Sequence, residues 1–123
     1  MKTVLIIDTD LGFVFWLGTV LDACGYQAIP AKDVPNAIAL IDQFTLEIDL
    51  LIVNPTLEGS TALIEHLRRL NVKVIALIAD GESPLPTQVD ASRQRPSKLD
   101  ENTSLEWLDL IETCSDSSRK MPT

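Results

Sequence analysis

With 123 residues, 46% of them hydrophobic, the chain suits a single domain with its own core, because about two thirds of the unfolded surface can be buried at this size without disulfide or metal staples. Its formal charge of −8 and the scattering of its ten basic residues exclude nucleic acid as an expected partner, since a phosphate backbone needs Lys and Arg clustered on one face. Acidity of this kind serves solubility and carries no functional weight of its own.

Cys24 and Cys114 fall on expected helices without pairing or metal-ligand spacing, and read as reduced, buried thiols. The amino-terminal apolar run, Val4 to Ile7, is closed by Asp8 and Asp10, too short and wrongly flanked for a signal peptide. No segment reaches membrane-spanning length, so a cytoplasmic protein without membrane contact is expected.

Thr3 to Ile7 reads as a first buried strand, ending at Asp8-Thr9-Asp10. Leu11 to Cys24 then has helical spacing in Val14, Leu17, Leu21 and Cys24, with Gly25 as its stop. Asp10 reads as the cap of this helix before it reads as a substitute metal oxygen. Tyr26 to Pro30 is a short second strand, and Asp33 the N-cap of a helix to Phe44 that tolerates Pro35 in its first turn.

The run Ile48 to Asn54 has the aliphatic character of a strand buried on both faces of a parallel sheet, and Pro55 keeps Asn54 extended at its carboxyl end. At its simplest Asn54-Pro55 opens a turn; in open α/β sheets, that edge is also where ligands collect. Ser60 reads as the cap of a third helix through Leu70, with Leu63, Leu67 and Leu70 on one face, and Val72 to Ile78 as another apolar strand.

Gly81, Pro84 and Pro86 interrupt the place of a fourth crossover helix, leaving residues 80 to 90 irregular or at best a single turn. Ala91 to Gln94 is a polar fifth strand, and Thr103 or Ser104 caps a last helix with Trp107, Leu108, Ile111 and Cys114 on its inner face. Residues 115 to 123 read as a frayed, disordered tail. Alternating strands and helices specify the α/β class: one doubly wound, five-stranded parallel sheet over residues 1 to 114, with right-handed crossovers.

Ile6-Ile7-Asp8-Thr9-Asp10, Asp49-Leu50-Leu51-Ile52-Val53-Asn54, Ile75-Ala76-Leu77-Ile78-Ala79 and Arg95-Pro96 follow one another, each at the end of its strand. In this order and register, over residues 3 to about 113, the chain resembles the receiver domain of two-component response regulators, a flavodoxin-like fold. Receivers hold Mg²⁺ on two adjacent acids after the first strand and accept phosphate on an Asp ending the third. They place a Ser or Thr at the end of the fourth strand and a Lys before a proline after the fifth, with a switching aromatic three residues earlier. The resemblance assigns these places to Asp8 and Thr9, Asn54, Ile78, Arg95 and Ser92, and only Asp8 keeps the family's side chain.

The neutral amide of Asn54 has nearly the shape of a carboxylate but is a very poor nucleophile. Mg²⁺ is usually held through one or two carboxylates plus phosphate oxygens, and here the acceptor and the second acid are both replaced. Ile78 keeps the branching of threonine without its hydroxyl. The resemblance therefore implies a degenerate receiver, or pseudo-receiver, that is not phosphorylated at Asn54, is not an enzyme and takes no metal or cofactor. Arg95 is expected to reach back to Asp8 or to the Asn54 side-chain oxygen, one base against one acid, with a cis Arg95-Pro96 bond by resemblance.

The function so implied is bacterial, phosphorelay-type intracellular signalling through protein contacts. The expected partner is a histidine kinase or another signalling protein, with a homodimer as a further option. No output domain follows residue 123, so action through a partner or a fused context is expected. Alternatives are a receiver modified at Thr9, Thr56 or Ser60 near the site mouth, and a small ligand-binding flavodoxin-like domain, for which only Asp8, Asn54 and Arg95 converge. His66 lies among Glu65, Arg68 and Arg69 and reads as solvent-facing. On the first helix Phe15 and Trp16 project away from the core stripe, and large exposed aromatics of this kind suit a contact surface.

Overall fold

The computed structural model describes residues 2–45, 47–78, 89–94, 96 and 98–116. The apolar runs form strands β1 (Thr3–Ile7), β2 (Gln27–Ala31), β3 (Leu50–Val53) and β4 (Lys73–Ile78), and the polar run forms β5 (Ala91–Gln94). All pair in parallel, in the order β2-β1-β3-β4-β5. Among the described residues the helices are α1 (Leu11–Ala23), α2 (Val34–Phe44), α3 (Ser60–Arg69) and α4 (Glu101–Asp116).

Strand side chains alternate between the two faces of a sheet, so β1 sends Val4 and Ile6 one way and Leu5 and Ile7 the other. The first pair joins Phe13, Leu17 and Leu21 of α1 and Trp107 and Ile111 of α4; the second joins Val34 and Ala37 of α2 and Leu63 and Leu67 of α3. The sheet is thus covered on both sides, which is why its central strands read as unbroken hydrophobic runs. All four residues of β3 are fully buried, each worth about 1.5–3 kcal/mol relative to exposure, and Ile52→Ala should cost about 2–5 kcal/mol.

Three carboxylates start helices: Asp10 accepts from Phe13 N (3.2 Å), Asp33 from Asn36 N (2.8 Å) and Asp100 from Thr103 N (2.9 Å). The last helix therefore begins before the expected Thr103 or Ser104, because Asp100 is the first side chain able to accept from its free N–H groups. Ser60 does not cap α3 either. Gly59 takes the N-cap position at φ +85°, left-handed geometry that glycine adopts without penalty, and Ser60 is the first helical residue. Gly25, at φ +88°, ends the first helical segment as expected.

Two further acids serve the opposite edge of the sheet. Asp49 accepts from Thr3 N at 2.8 Å, and Asp90 accepts from Val74 N at 2.7 Å while pairing with Arg68 of α3. Two apolar expectations are corrected: Leu70 is exposed because α3 ends before it, and Cys24 is an exposed free thiol because it caps α1 beyond the last buried turn. Cys114 is buried on α4 as expected. The helix α4 runs two residues past the expected domain end; residues 117–123, most of the 80–90 segment, and Arg95 with its bond to Pro96 lie outside the described residues. Among the described residues no helix is long and apolar enough to cross a membrane.

Candidate functional site

The order of the sheet reverses between β1 and β3: β1 leads back to β2, while β3 leads on to β4. Crossovers leave in opposite directions there, opening a crevice beyond the carboxyl ends of the two strands. Ile7 pairs with Val53, so the next residues, Asp8 and Asn54, meet at that crevice. Their backbones continue the sheet, with Asn54 N donating to Ile7 O (3.0 Å) and Asp8 N to Ala31 O (3.3 Å).

Asp8 is fully buried. Its Oδ1 accepts from Thr9 N at 2.9 Å and from Asn54 Nδ2 at 3.1 Å. The other end of the Asn54 amide is also occupied, since Oδ1 accepts from Thr56 N (3.0 Å) and Thr56 Oγ1 (2.6 Å). Leu57 N donates to Asn54 O at 3.2 Å, closing a turn over Pro55. Asn54 therefore both opens the Asn-Pro turn and links β3 to β1 through its side chain.

Thr56, expected near the site mouth only as a residue open to modification, is a direct partner of Asn54. The signal for it was an Asn two residues upstream, the spacing at which an Asx turn forms. Ser60 is buried with its hydroxyl donating to Pro55 O at 2.7 Å, which corrects its place beside an open site mouth; Thr9 and Thr56 are exposed. Asp10 is turned onto α1 as its cap, away from a metal-ligand role.

Ile78 ends β4 half-buried, opposite Gln94, and Ser92 is half-buried opposite Ala76. Arg95 follows Gln94 in sequence, so its expected reach to Asp8 lies outside the described residues. A divalent ion of the receiver type does not fit the donors present. Mg²⁺ seeks octahedral oxygen ligands, whereas Asp8 faces an amide N–H and a backbone N–H, and Thr9 and Asn54 add no carboxylate. Among the described residues no three His, Cys, Asp or Glu side chains are grouped for a metal.

Two surface features lie outside the Asp8–Asn54 pair, the first of them beginning at the turn that follows Asn54. A largely apolar cleft of about 710 Å³ between α2 and α3 is lined by Val34, Ile38, Leu57 and Leu63, with Asp33, Glu58 and an exposed His66 among its polar residues. On α1, Phe15 is 57% exposed, but Trp16 is half-buried against the core, its ring 6.1 Å from that of Phe13, which in turn lies 5.5 Å from Trp107. The expectation that both aromatics stand clear of the core is thus corrected for Trp16, which packs against the core beside Phe13 of its own helix.

No protein-family model and no curated protein sequence matches the chain. Solved structures do. A CheY-like response regulator receiver domain protein from Methanospirillum hungatei superposes with a TM-score of 0.76 at 22% identity, covering 97% of each chain. A two-component response regulator from Clostridium difficile does so at 0.72 and 20%, covering 100% of both. The response regulator TrrA from Thermotoga maritima, solved in complex with Mg²⁺-BeF, superposes at 0.69 and 20%, covering 93% of this chain and 99% of its own. The chain has the flavodoxin-like fold of receiver domains, as its strand ends implied.

Proposed function

We propose that this chain is a receiver-like signalling domain that acts through protein contacts and is not switched by phosphate at the end of β3. The observation that carries this reading is the engagement of the Asn54 side chain at both ends, its amide on Asp8 and its carbonyl on Thr56. A phosphoacceptor must offer a free carboxylate oxygen for in-line attack, and an amide committed to two neighbours has neither the charge nor the free lone pair. The receiver fold supports a place in signal transduction, in the cytoplasm and with a protein partner such as a histidine kinase. No catalytic residue, metal or cofactor enters the reading.

Incubating the chain with a small phosphodonor and Mg²⁺, then measuring intact mass, tests it. The expected result is an unchanged mass. A hydroxylamine-labile adduct of one phosphoryl group would overturn the reading, because that lability marks an acyl phosphate. An acid-stable adduct mapped to exposed Thr9 or Thr56 would instead favour control by hydroxyl modification.

A further inference from the structure

We propose that the cleft between α2 and α3 is where this chain meets a protein partner, and that the partner presents a basic amphipathic segment: apolar side chains that enter the cleft beside a Lys or Arg that meets Glu58. One turn of each helix frames the cleft, Val34 to Ile38 on α2 and Ala62 to His66 on α3, and Leu57 and Glu58 close one end. Val34 and Leu63 belong to the core beneath, whereas Ile38 is 44% exposed and Leu57 half-buried. The apolar floor is therefore open to the outside. Its volume of about 710 Å³ compares with about 150 Å³ for a cavity that holds benzene, so several apolar side chains fit.

Charge selects the occupant. Both helices cross back from the carboxyl ends of parallel strands, so their amino-terminal ends lie at the same end of the sheet. Asp33, the N-cap of α2, and Glu58, next to the Gly59 N-cap of α3, therefore share one end of the cleft. The Asp33 carboxylate is turned onto Asn36 N at 2.8 Å, but Glu58 is exposed and makes no hydrogen bond or ion pair among the described residues. The positive end of α3, about half a charge, offsets only part of it. No Lys or Arg lines the cleft, and the chain carries −8 overall, so a cationic segment is attracted and an acidic one repelled. A second copy of this chain would bring the same negative charge.

The wall that carries Leu57 and Glu58 is held by the Asn54 turn. Leu57 N donates to Asn54 O at 3.2 Å, and Thr56 donates twice to Asn54 Oδ1. Ser60 ties the start of α3 to the same turn, its N–H on Leu57 O (3.1 Å) and its hydroxyl on Pro55 O (2.7 Å). Gly59 lets the two helices approach there, since a Cβ would stand 3.4 Å from Val34 Cγ1 at a φ of +85° that disfavours any side chain. The cleft is thus built before a partner arrives, and binding need not order this wall. In the protein-contact reading the Asn54 amide then has a positive role, which is to fix one side of the contact site.

The inference rests on the protein-contact reading above, but its test is separate, since phosphorylation is read by mass and this contact by peptide binding. The probe is a fluorescent peptide of Leu and Lys alone, with Leu at helical i, i+3, i+4 and i+7 spacing, titrated with the full chain and followed by anisotropy. It should bind at least about tenfold more tightly than its Leu-Glu counterpart. Ile38→Asn should weaken binding about tenfold, as loss of an apolar anchor does, and Glu58→Gln about threefold. Glu106→Gln, an exposed acid on α4 across the sheet, should leave it unchanged, and the methyl resonances of Ile38, Leu57 and Leu63 should move on binding. Ile38 and Glu58 are exposed, so both variants keep the fold; should Ile38→Asn unfold, Ile38→Ala stands in for it. No binding, a loss from Glu106→Gln as large as that from Glu58→Gln, or a folded Ile38 variant that binds as the parent does would overturn the proposal. Self-association of the parent that the Ile38 variant abolishes would assign the cleft to a second copy, and overturn it as well.

Discussion

Asn54 and Asp8, 46 residues apart in the chain, are joined by a hydrogen bond of 3.1 Å from amide to carboxylate at the reversal point of the sheet. Two carboxylates in these places would repel and call for a cation, whereas an amide and a carboxylate satisfy each other. The ends of β1 and β3 are thus held together by a donor-acceptor pair around one charge.

Asn54→Asp should therefore destabilise the chain by about 1–3 kcal/mol at neutral pH without divalent ions, because Asp8 loses a donor and gains a like charge. One acid of the pair would hold its proton to a higher pH in the folded chain than in the unfolded one. The deficit should accordingly shrink as pH falls into the carboxylate range, and added Mg²⁺ should restore part of it. Urea unfolding with and without Mg²⁺ checks this. A variant as stable as the parent in the metal-free state would contradict it.

Thr56 should prove structural for the site. Thr56→Val removes the 2.6 Å hydroxyl bond to Asn54 Oδ1 while leaving the backbone bond, for a loss of about 0.5–1.5 kcal/mol; Thr56→Ser should be nearly neutral. The Asn54 side-chain NH₂ resonances report the effect directly, since their protection from exchange depends on the amide staying aimed at Asp8.

The two thiols should behave differently. Cys24, exposed, should react at once with an aromatic disulfide reagent, and buried Cys114 only on unfolding. Burial pushes the Cys114 thiol up, with the charge of Asp90 adding to the effect. A folded value above the unfolded one means that the stability contribution is full below the ordinary thiol range and is lost as pH rises through it. Stability should decline at alkaline pH, and Cys114→Ala should flatten the decline; an identical slope in the variant would refute the assignment.

Asp100 should titrate below the ordinary carboxylate range, held down chiefly by the Thr103 N–H and hydroxyl. A depressed folded value means that the cap is intact above the unfolded value and is lost as pH falls through the folded one. Because the group is exposed, the amide shift of Thr103 is the suitable reporter. Asp100→Asn should keep the cap and abolish the titration.

From the sequence alone, the type and order of the elements among the described residues could be read, and with them the fold. Runs such as Leu50 to Val53 and Val74 to Leu77 are hydrophobic on both faces because the sheet is covered on both, and Asp33 and Gly25 mark helix ends through chemistry local to a few residues. That position 54 carries an amide and not a carboxylate was equally plain. What Asn54 does instead was decided by tertiary structure, because its bond to Asp8 exists only once β1 and β3 lie side by side, and its hold on Thr56 only once Pro55 has turned the chain. Trp16 and Ser60 have nearer partners, Phe13 three residues before Trp16 and Pro55 five residues before Ser60, contacts that the periodicity of an element does not assign. Periodicity assigns a side chain to a face of its own element, whereas what it touches there is set by the neighbours that folding brings across the sheet.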